Sequence, residues 1–263
     1  IKYFDKSLKI NPNNYLLLNN IGNLYKSLGD TEEAHKFYDR ALKIKDDYCD
    51  SINNKAELYL QKKDFKKALV YFEKVIKINP KFTYALGKLI HTKKHLCDWS
   101  DYDLNLDKVL NGIKNKETVI EPFPMLSLED APERHRVRSE IFAANKYPKK
   151  LMSGWAKPLH KPERLRIGYF SADFHDFPGM HLMVGLLEKH DRTKFEISAF
   201  SYGPATHDQM RKRIVKAVDN FIDIRTADVK TVVDLARQQN IDIAVHRNGY
   251  TTNSRTELFA SGL

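Results

Sequence analysis

Three histidines and a carboxylate stand where apolar runs break into loops. Asp173, His175 and His181 follow the run LRIGYF that begins at Leu165, and His246 closes a second run, IDIAVH. An imidazole exchanges a proton near neutrality, and a carboxylate beside it fixes the ring, so the set suits acid–base relay. Asn248, Tyr250, Thr251 and Arg255 follow His246 closely and add an amide, hydroxyls and a guanidinium able to grip a polar substrate. Each residue also has a plainer reading. A loop histidine is commonly exposed or caps a helix, Asp173 is a candidate cap for the next helix, and Gly249 after Asn248 supplies a turn with positive φ. No metal-ligand spacing, Walker loop or GxGxxG is present, so the expectation is metal-independent chemistry without a cofactor.

Elements that would hold these residues follow from the pattern around them. Leu165, Ile167, Tyr169 and Phe170 read as a buried strand ending in Ser171-Ala172-Asp173. Past Pro178-Gly179, Met180, Met183, Val184 and Leu187 have helical spacing. Further strands are expected at 195–202, 220–225 and 241–246, with helices near 180–190, 207–218 and 228–239 and a last helix start over 253–260. This alternation implies right-handed βαβ units and a mostly parallel sheet covered on both faces. The loops 173–181 and 246–255 then leave the same edge of the sheet, where open α/β sheets bind ligands, and are expected to share one crevice.

The first third of the chain is organised differently. Ile10, Ile44 and Ile78 recur at a step of 34, as do Phe4, Tyr38 and Phe72, and Leu8, Leu42 and Ile76. Small residues Gly22 and Ala56 keep the same step. A 34-residue period with Asn-Pro at repeat ends resembles the tetratricopeptide repeat, a helical hairpin that stacks into a solenoid with a concave face. Asp30 with Glu33 reads as a capping box. After Phe82 the pattern decays through Tyr84, Leu86, Leu89, Ile90 and Leu96 into a terminal helix over the stack. Asn20 and Asn54 occupy equivalent places in successive repeats. Their amides either grip an extended peptide backbone or are simply exposed.

Three segments are therefore expected: repeats with a terminal helix over 1–97, a helical connector over 98–163 and an α/β lobe over 164–263. In the connector, a helix is expected from Cys97-Asp98-Trp99-Ser100-Asp101-Tyr102 to about Leu110, Glu121-Pro122-Phe123-Pro124 is expected to be extended, and Asp130 with Pro132 opens a helix through Asn145. Pro148, Pro158 and Pro162 forbid a long helix before the sheet. The 263 residues carry a formal charge of +10, but Lys and Arg are interleaved with Asp and Glu, which argues against a nucleic-acid site. No apolar run approaches a membrane span. Cys49 and Cys97, read as lying in separate helices, share no CxxC spacing, which fits reduced thiols in a cytoplasmic protein. The chain begins with Ile1 inside a repeat and stops at Leu263 as a helix starts, so it reads as a fragment.

The repeats, the Cys-Asp-Trp-Ser-Asp-Tyr connector with Pro-Phe-Pro, and the stretches LRIGYFSADF, His181-Leu182-Met183, HDRTKFEISAFSYGP and NGYTTNSRTELFA together resemble the bacterial O-linked N-acetylglucosamine transferase, or SPINDLY-like, family of inverting glycosyltransferases. The resemblance implies an α-solenoid followed by the N-terminal Rossmann-like lobe of a two-lobed GT-B fold on the acceptor side, with the nucleotide-gripping lobe beyond Leu263. It implies transfer of N-acetylglucosamine from UDP-N-acetylglucosamine to Ser or Thr of an acceptor protein guided by the repeats, and a fragment inactive by itself. The family loop Asp-Phe-x-x-His-Pro-x-x-His/Tyr-Leu-Met lands on Asp173, Phe174, Phe177, Pro178, His181, Leu182 and Met183. Its first histidine is thus Phe177 here, which takes no proton, and His175 is the nearby candidate substitute. The second family motif, Asp/Asn-x-x-Gly-Tyr-Thr-x-x-x-Arg, lands on His246, Arg247, Asn248, Gly249, Tyr250, Thr251 and Arg255, with His246 where Asp or Asn is usual. Proton relay is expected from His181 or His246, and substrate contacts from Pro178 and the second motif. The rival readings are a non-catalytic repeat scaffold carrying a degenerate transferase module, and a transferase of the same architecture using another nucleotide sugar.

Overall fold

A computed structural model describes residues 2–148, 162–251 and 253–262. The chain forms two compact units, residues 1–142 and 143–263. Pro158 and most of the segment joining α9 to the sheet lie outside the described residues.

In the first unit, α1 (Lys2–Ile10), α2 (Tyr15–Ser27), α3 (Thr31–Ile44), α4 (Cys49–Gln61), α5 (Phe65–Ile78) and α6 (Ala85–His95) form antiparallel hairpins at the 34-residue step. Short polar side chains start them: Asn14, Asp30 and Asp64 each accept from a backbone N–H three residues on, at 3.0–3.1 Å. The Asp30 box is only half made, because the Glu33 carboxylate turns to Lys36. Gly22 is where the helices cross: a Cβ there would come within 2.4 Å of the Tyr38 ring, itself fully buried with Ala34 and Leu58. Along α2, α4 and α6 runs a polar row. Glu57 pairs with Lys26 and with Lys88, one from each neighbouring repeat. Burial pushes its carboxyl up, but the two ammoniums outweigh that and hold it at about 2.

Helices α7 (Tyr102–Lys114), α8 (Pro122–Met125) and α9 (Pro132–Lys146) follow. Val109 and Ile113 of α7 and Met125 of α8 share one core with Ala56, Phe72, Leu86, Leu89 and Ile90, so the helices after 98 complete the apolar face of the last repeat. Two expectations are corrected here. Cys97 is not helical but takes φ 53° just past α6, and α7 starts only at Tyr102; both thiols are free. Of Glu121-Pro122-Phe123-Pro124 only Glu121 is extended (φ −74°, ψ 158°). Pro122, with φ preset by its ring, opens the helical turn α8.

The second unit is a doubly wound sheet: β1 (Leu165–Ser171), α10 (Pro178–Lys189), β2 (Phe195–Ser201), α11 (Gln209–Ala217), β3 (Asn220–Asp223), α12 (Val229–Gln238), β4 (Ile243–His246) and the short α13 (Glu257–Ala260). All pairings are parallel in the order β3-β2-β1-β4. Alternation sorts the side chains. Ile167, Tyr169, Ile197 and Ala199 meet Met180, Val184 and Leu187 of α10 and Ile214 of α11, while Phe170 and Phe200 meet Val232 and Ala236 of α12 and Leu258 of α13. Phe170 and Phe200 are fully buried and stacked, with centroids 4.3 Å apart; each contributes roughly 2–3 kcal/mol by burial. The chain reverses its progress across the sheet between β1 and β4, which makes the carboxyl ends of these two strands the switch point. No helix among the described residues is long and apolar enough to cross a membrane.

Candidate functional site

At the carboxyl ends of β1 and β4 the two loops meet through one asparagine. Asn248, buried just past β4, accepts on Oδ1 from Ser171 Oγ (3.0 Å), the Ala172 backbone N–H (3.1 Å) and Tyr202 Oη (3.0 Å), and donates from Nδ2 to Asp173 Oδ2 (2.8 Å). Burial pushes the Tyr202 hydroxyl up to about 12, so it remains a donor. The Asp173 carboxylate also takes Nη1 of Arg247, and the pair is largely withdrawn from solvent. Asp173 therefore does not cap α10, whose N-cap position is Phe177 with Pro178 at the first helical turn.

Arg247 lies along α10. Its Cζ stands 6.0 Å from the Phe177 ring centroid, and a Cβ on Gly179 would fall 1.8 Å from Nη2, so only a glycine admits the guanidinium there. A cleft of about 630 Å³ opens beside this lock, lined on one side by Phe177, Gly179, Leu182 and Met183 and on the other by Asp173, Arg247, Asn248, Thr251 and Asn253. Gly249 has φ 54°, the positive value that the turn after Asn248 required. Thr251 Oγ1 donates to the Asn248 carbonyl (2.7 Å), and Thr256 Oγ1 to that of Gly249 (2.9 Å).

The expected residues thus divide. Asp173, Asn248 and Thr251 line the cleft. His181, exposed in the first turns of α10, presents Nε2 to Asp176 Oδ1 at 2.7 Å. Its ring is oriented by a carboxylate, one residue from Leu182 at the cleft wall. His175 packs at 5.8 Å from the Phe177 ring and buries an Nδ1 that has no partner among the described residues. His246 does not enter the cleft. It pairs in register with Phe170, so the pleat turns it to the α13 face, where it stacks on Phe259 with centroids 4.5 Å apart; burial lowers its basicity. Arg255 is anchored to the Ile224 carbonyl and to Glu257, and Tyr250 stacks on Tyr147 at 6.5 Å. The first and fourth strands do open onto one crevice, but it is built with Arg247, Ser171 and Tyr202, which residue types alone did not single out.

In the repeats Asn20 is exposed, whereas Asn54 donates to Asn19 Oδ1 (3.0 Å) and Asn23 Oδ1 (2.9 Å). The two equivalent amides therefore do different things. Asn19, next to Asn20 in the chain, also accepts from buried Ser51, so Asn19 and Asn23 tie α2 to α4. Among the described residues no group of three or more His, Cys, Asp or Glu is placed to hold a metal ion.

Comparison with known proteins bears on both units. Residues 96–262 match the model of glycosyl transferase family 41, and residues 3–36 and 50–82 match tetratricopeptide repeat models. The probable UDP-N-acetylglucosamine–peptide N-acetylglucosaminyltransferase SEC of Arabidopsis thaliana is 26% identical over 188 residues, which are 65% of this chain and 19% of that protein. The UDP-N-acetylglucosamine–peptide N-acetylglucosaminyltransferase of Caenorhabditis elegans is 27% identical over 183 residues, 63% of this chain and 16% of that protein. The chain thus spans less than a fifth of these relatives' length. A mutant of the Thermobaculum terrenum O-GlcNAc transferase shares the fold over 98% of this chain and 44% of its own, with a TM-score of 0.51 at 20% identity.

Proposed function

The chain belongs to glycosyl transferase family 41, and from that premise we propose that it forms the acceptor side of an inverting transferase moving N-acetylglucosamine from UDP-N-acetylglucosamine to Ser or Thr hydroxyls of polypeptides that the repeats recruit. The observation that carries this reading is the cleft at the switch point, walled by Asp173, Asn248 and Arg247 on the sheet side and by α10 on the other. In such a reaction the acceptor oxygen bonds to the anomeric carbon as the bond to the diphosphate breaks, and the hydroxyl proton must pass to a base. His181 is assigned that role. Its Nε2–H donates to Asp176 and leaves the Nδ1 lone pair as the acceptor. Asp173 is not assigned that role, since Arg247 and Asn248 already engage its Oδ2. Arg247, already paired, offers no free charge to the departing diphosphate, so that task is assigned to residues outside this cleft.

The test is transfer from UDP-N-acetylglucosamine to a Ser/Thr peptide by the full-length protein, beside its His181→Ala variant. The variant is expected to lose about 10²-fold in kcat with little change in KM. Unaltered turnover removes His181 from the mechanism. A second reading, a repeat scaffold with a degenerate transferase module, is favoured by Phe177, an unprotonatable ring at the cleft mouth. It prevails if the unsubstituted full-length protein transfers no sugar. The 263-residue chain alone is expected not to bind UDP tightly, which calorimetry checks.

A further inference from the structure

Beyond the polar row of the repeats, α6 carries a pair of imidazoles that the transferase reading does not use. His91 and His95 are one helical turn apart on α6, both exposed, with their Nε2 atoms 3.2 Å from each other. Side chains at this spacing share a helix face, the arrangement by which paired helical histidines chelate a metal. The separation fits that use: two nitrogens each about 2.0–2.1 Å from a tetrahedral ion lie about 3.3 Å apart. The rings are also held. His95 stacks flat on Phe65, with centroids 4.3 Å apart and planes 5° from parallel, and His91 stands edge-on to it at 87°.

Neighbouring cations are drawn elsewhere. Lys88, one turn before His91, pairs with Glu57, and Lys94 directs Nζ to Ser127 Oγ at 2.6 Å. We propose that His91 and His95 are a two-imidazole chelate for a divalent first-row transition-metal ion, binding it through both Nε2 atoms with water in the remaining positions. In the neutral pair one Nε2–H bonds to the other Nε2. On binding, that proton moves to Nδ1 of the same ring, both Nε2 lone pairs face the ion, and no net proton is released. Borderline ions with an affinity for imidazole, such as Zn²⁺, Ni²⁺ and Cu²⁺, are the class this donor set takes.

Calorimetric titration of the 263-residue chain with Ni²⁺ tests it. One ion per chain is expected, removable by a chelator, with the affinity falling about tenfold or more in His91→Ala and equally in His95→Ala. Ni²⁺ should raise Tm in the unsubstituted chain and in neither variant. Because both side chains are exposed, the variants should match the parent in metal-free circular dichroism, so a loss of binding is a loss of ligands. Cys97→Ser should bind as the parent does. Ni²⁺ affinity indifferent to both histidine substitutions, lowered by only one of them, or abolished by Cys97→Ser overturns the chelate.

Discussion

Asn248 reaches from the end of β4 to within 2.8 Å of the Asp173 carboxylate at the end of β1, amide nitrogen to carboxylate oxygen. That single contact, with the three donors gathered on the other end of the same amide, makes two loops 75 residues apart in sequence into one wall.

Removing it should therefore be costly. Asn248→Ala strands the Ser171 and Tyr202 hydroxyls, the Ala172 N–H and one side of Asp173 in a buried place, and unpartnered buried groups cost about 1–3 kcal/mol each before relaxation. Urea unfolding should show a loss of at least about 2 kcal/mol. A change within about 0.5 kcal/mol would mean that water replaces the amide.

Gly179 and Arg247 should be energetically coupled. Gly179→Ala must displace a guanidinium fixed by Asp173, so it should cost about 1–2 kcal/mol in the parent and close to nothing in an Arg247→Met background. Gly203 sets the contrast. A Cβ there would sit 1.6 Å from the Ala172 backbone oxygen, which has no flexible end to yield, so Gly203→Ala should cost more than Gly179→Ala and should not be rescued by Arg247→Met. Thermal melts of the six chains, the parent, Arg247→Met and each glycine substitution with and without it, read out both statements.

Acid should loosen the repeats partly through Glu57. Its carboxyl is held at about 2 against an ordinary 4.5, a folded value below the unfolded one. Its contribution is thus complete above the unfolded value and is lost as pH falls from about 4.5 toward 2, on the order of 3 kcal/mol at most. Glu57→Gln should lower stability at pH 7 by about 1–3 kcal/mol, since two part-buried ammoniums lose their counter-charge, and should flatten the stability curve across that window.

His246 predicts a second pH window in the α/β unit. Burial holds its folded basicity below the ordinary 6.5, so the unfolded chain takes up the proton first as pH falls. Stability is unaffected above about 6.5 and declines below it until the folded value is reached. His190, also lowered by burial, adds a slope of the same sign. His246→Phe should reduce the decline without abolishing it. Nuclear magnetic resonance titration of the ring should give a midpoint below 6.5.

The repeats and the sheet were readable because their periods are strong. A step of 34 carries three apolar registers at once, and β1 and β2 are seven-residue runs, buried over their last five residues, with turns marked by Pro, Gly and Asp. Near the site, legibility fell with dependence on distant partners. Which way His246 faces is fixed by its pairing with Phe170, a register between segments 76 residues apart that no local spacing states. Arg247 looked like filler between two motif positions, because its meaning lies in Gly179 and Asp173 across the crevice. Pro122 misled in another way. Its restriction falls on Glu121 before it, and the same fixed φ that suggested an extended run begins a helical turn.

Glu57 has a consequence for how the array yields under load. A stack in which each hairpin touches only the next can fray from its ends one repeat at a time, yet here a single carboxylate collects an ammonium from the hairpin on either side. Peeling away the outer hairpin at either end breaks a pairing at the centre, so the three inner helices should let go together, as a clasp does, instead of unzipping in sequence.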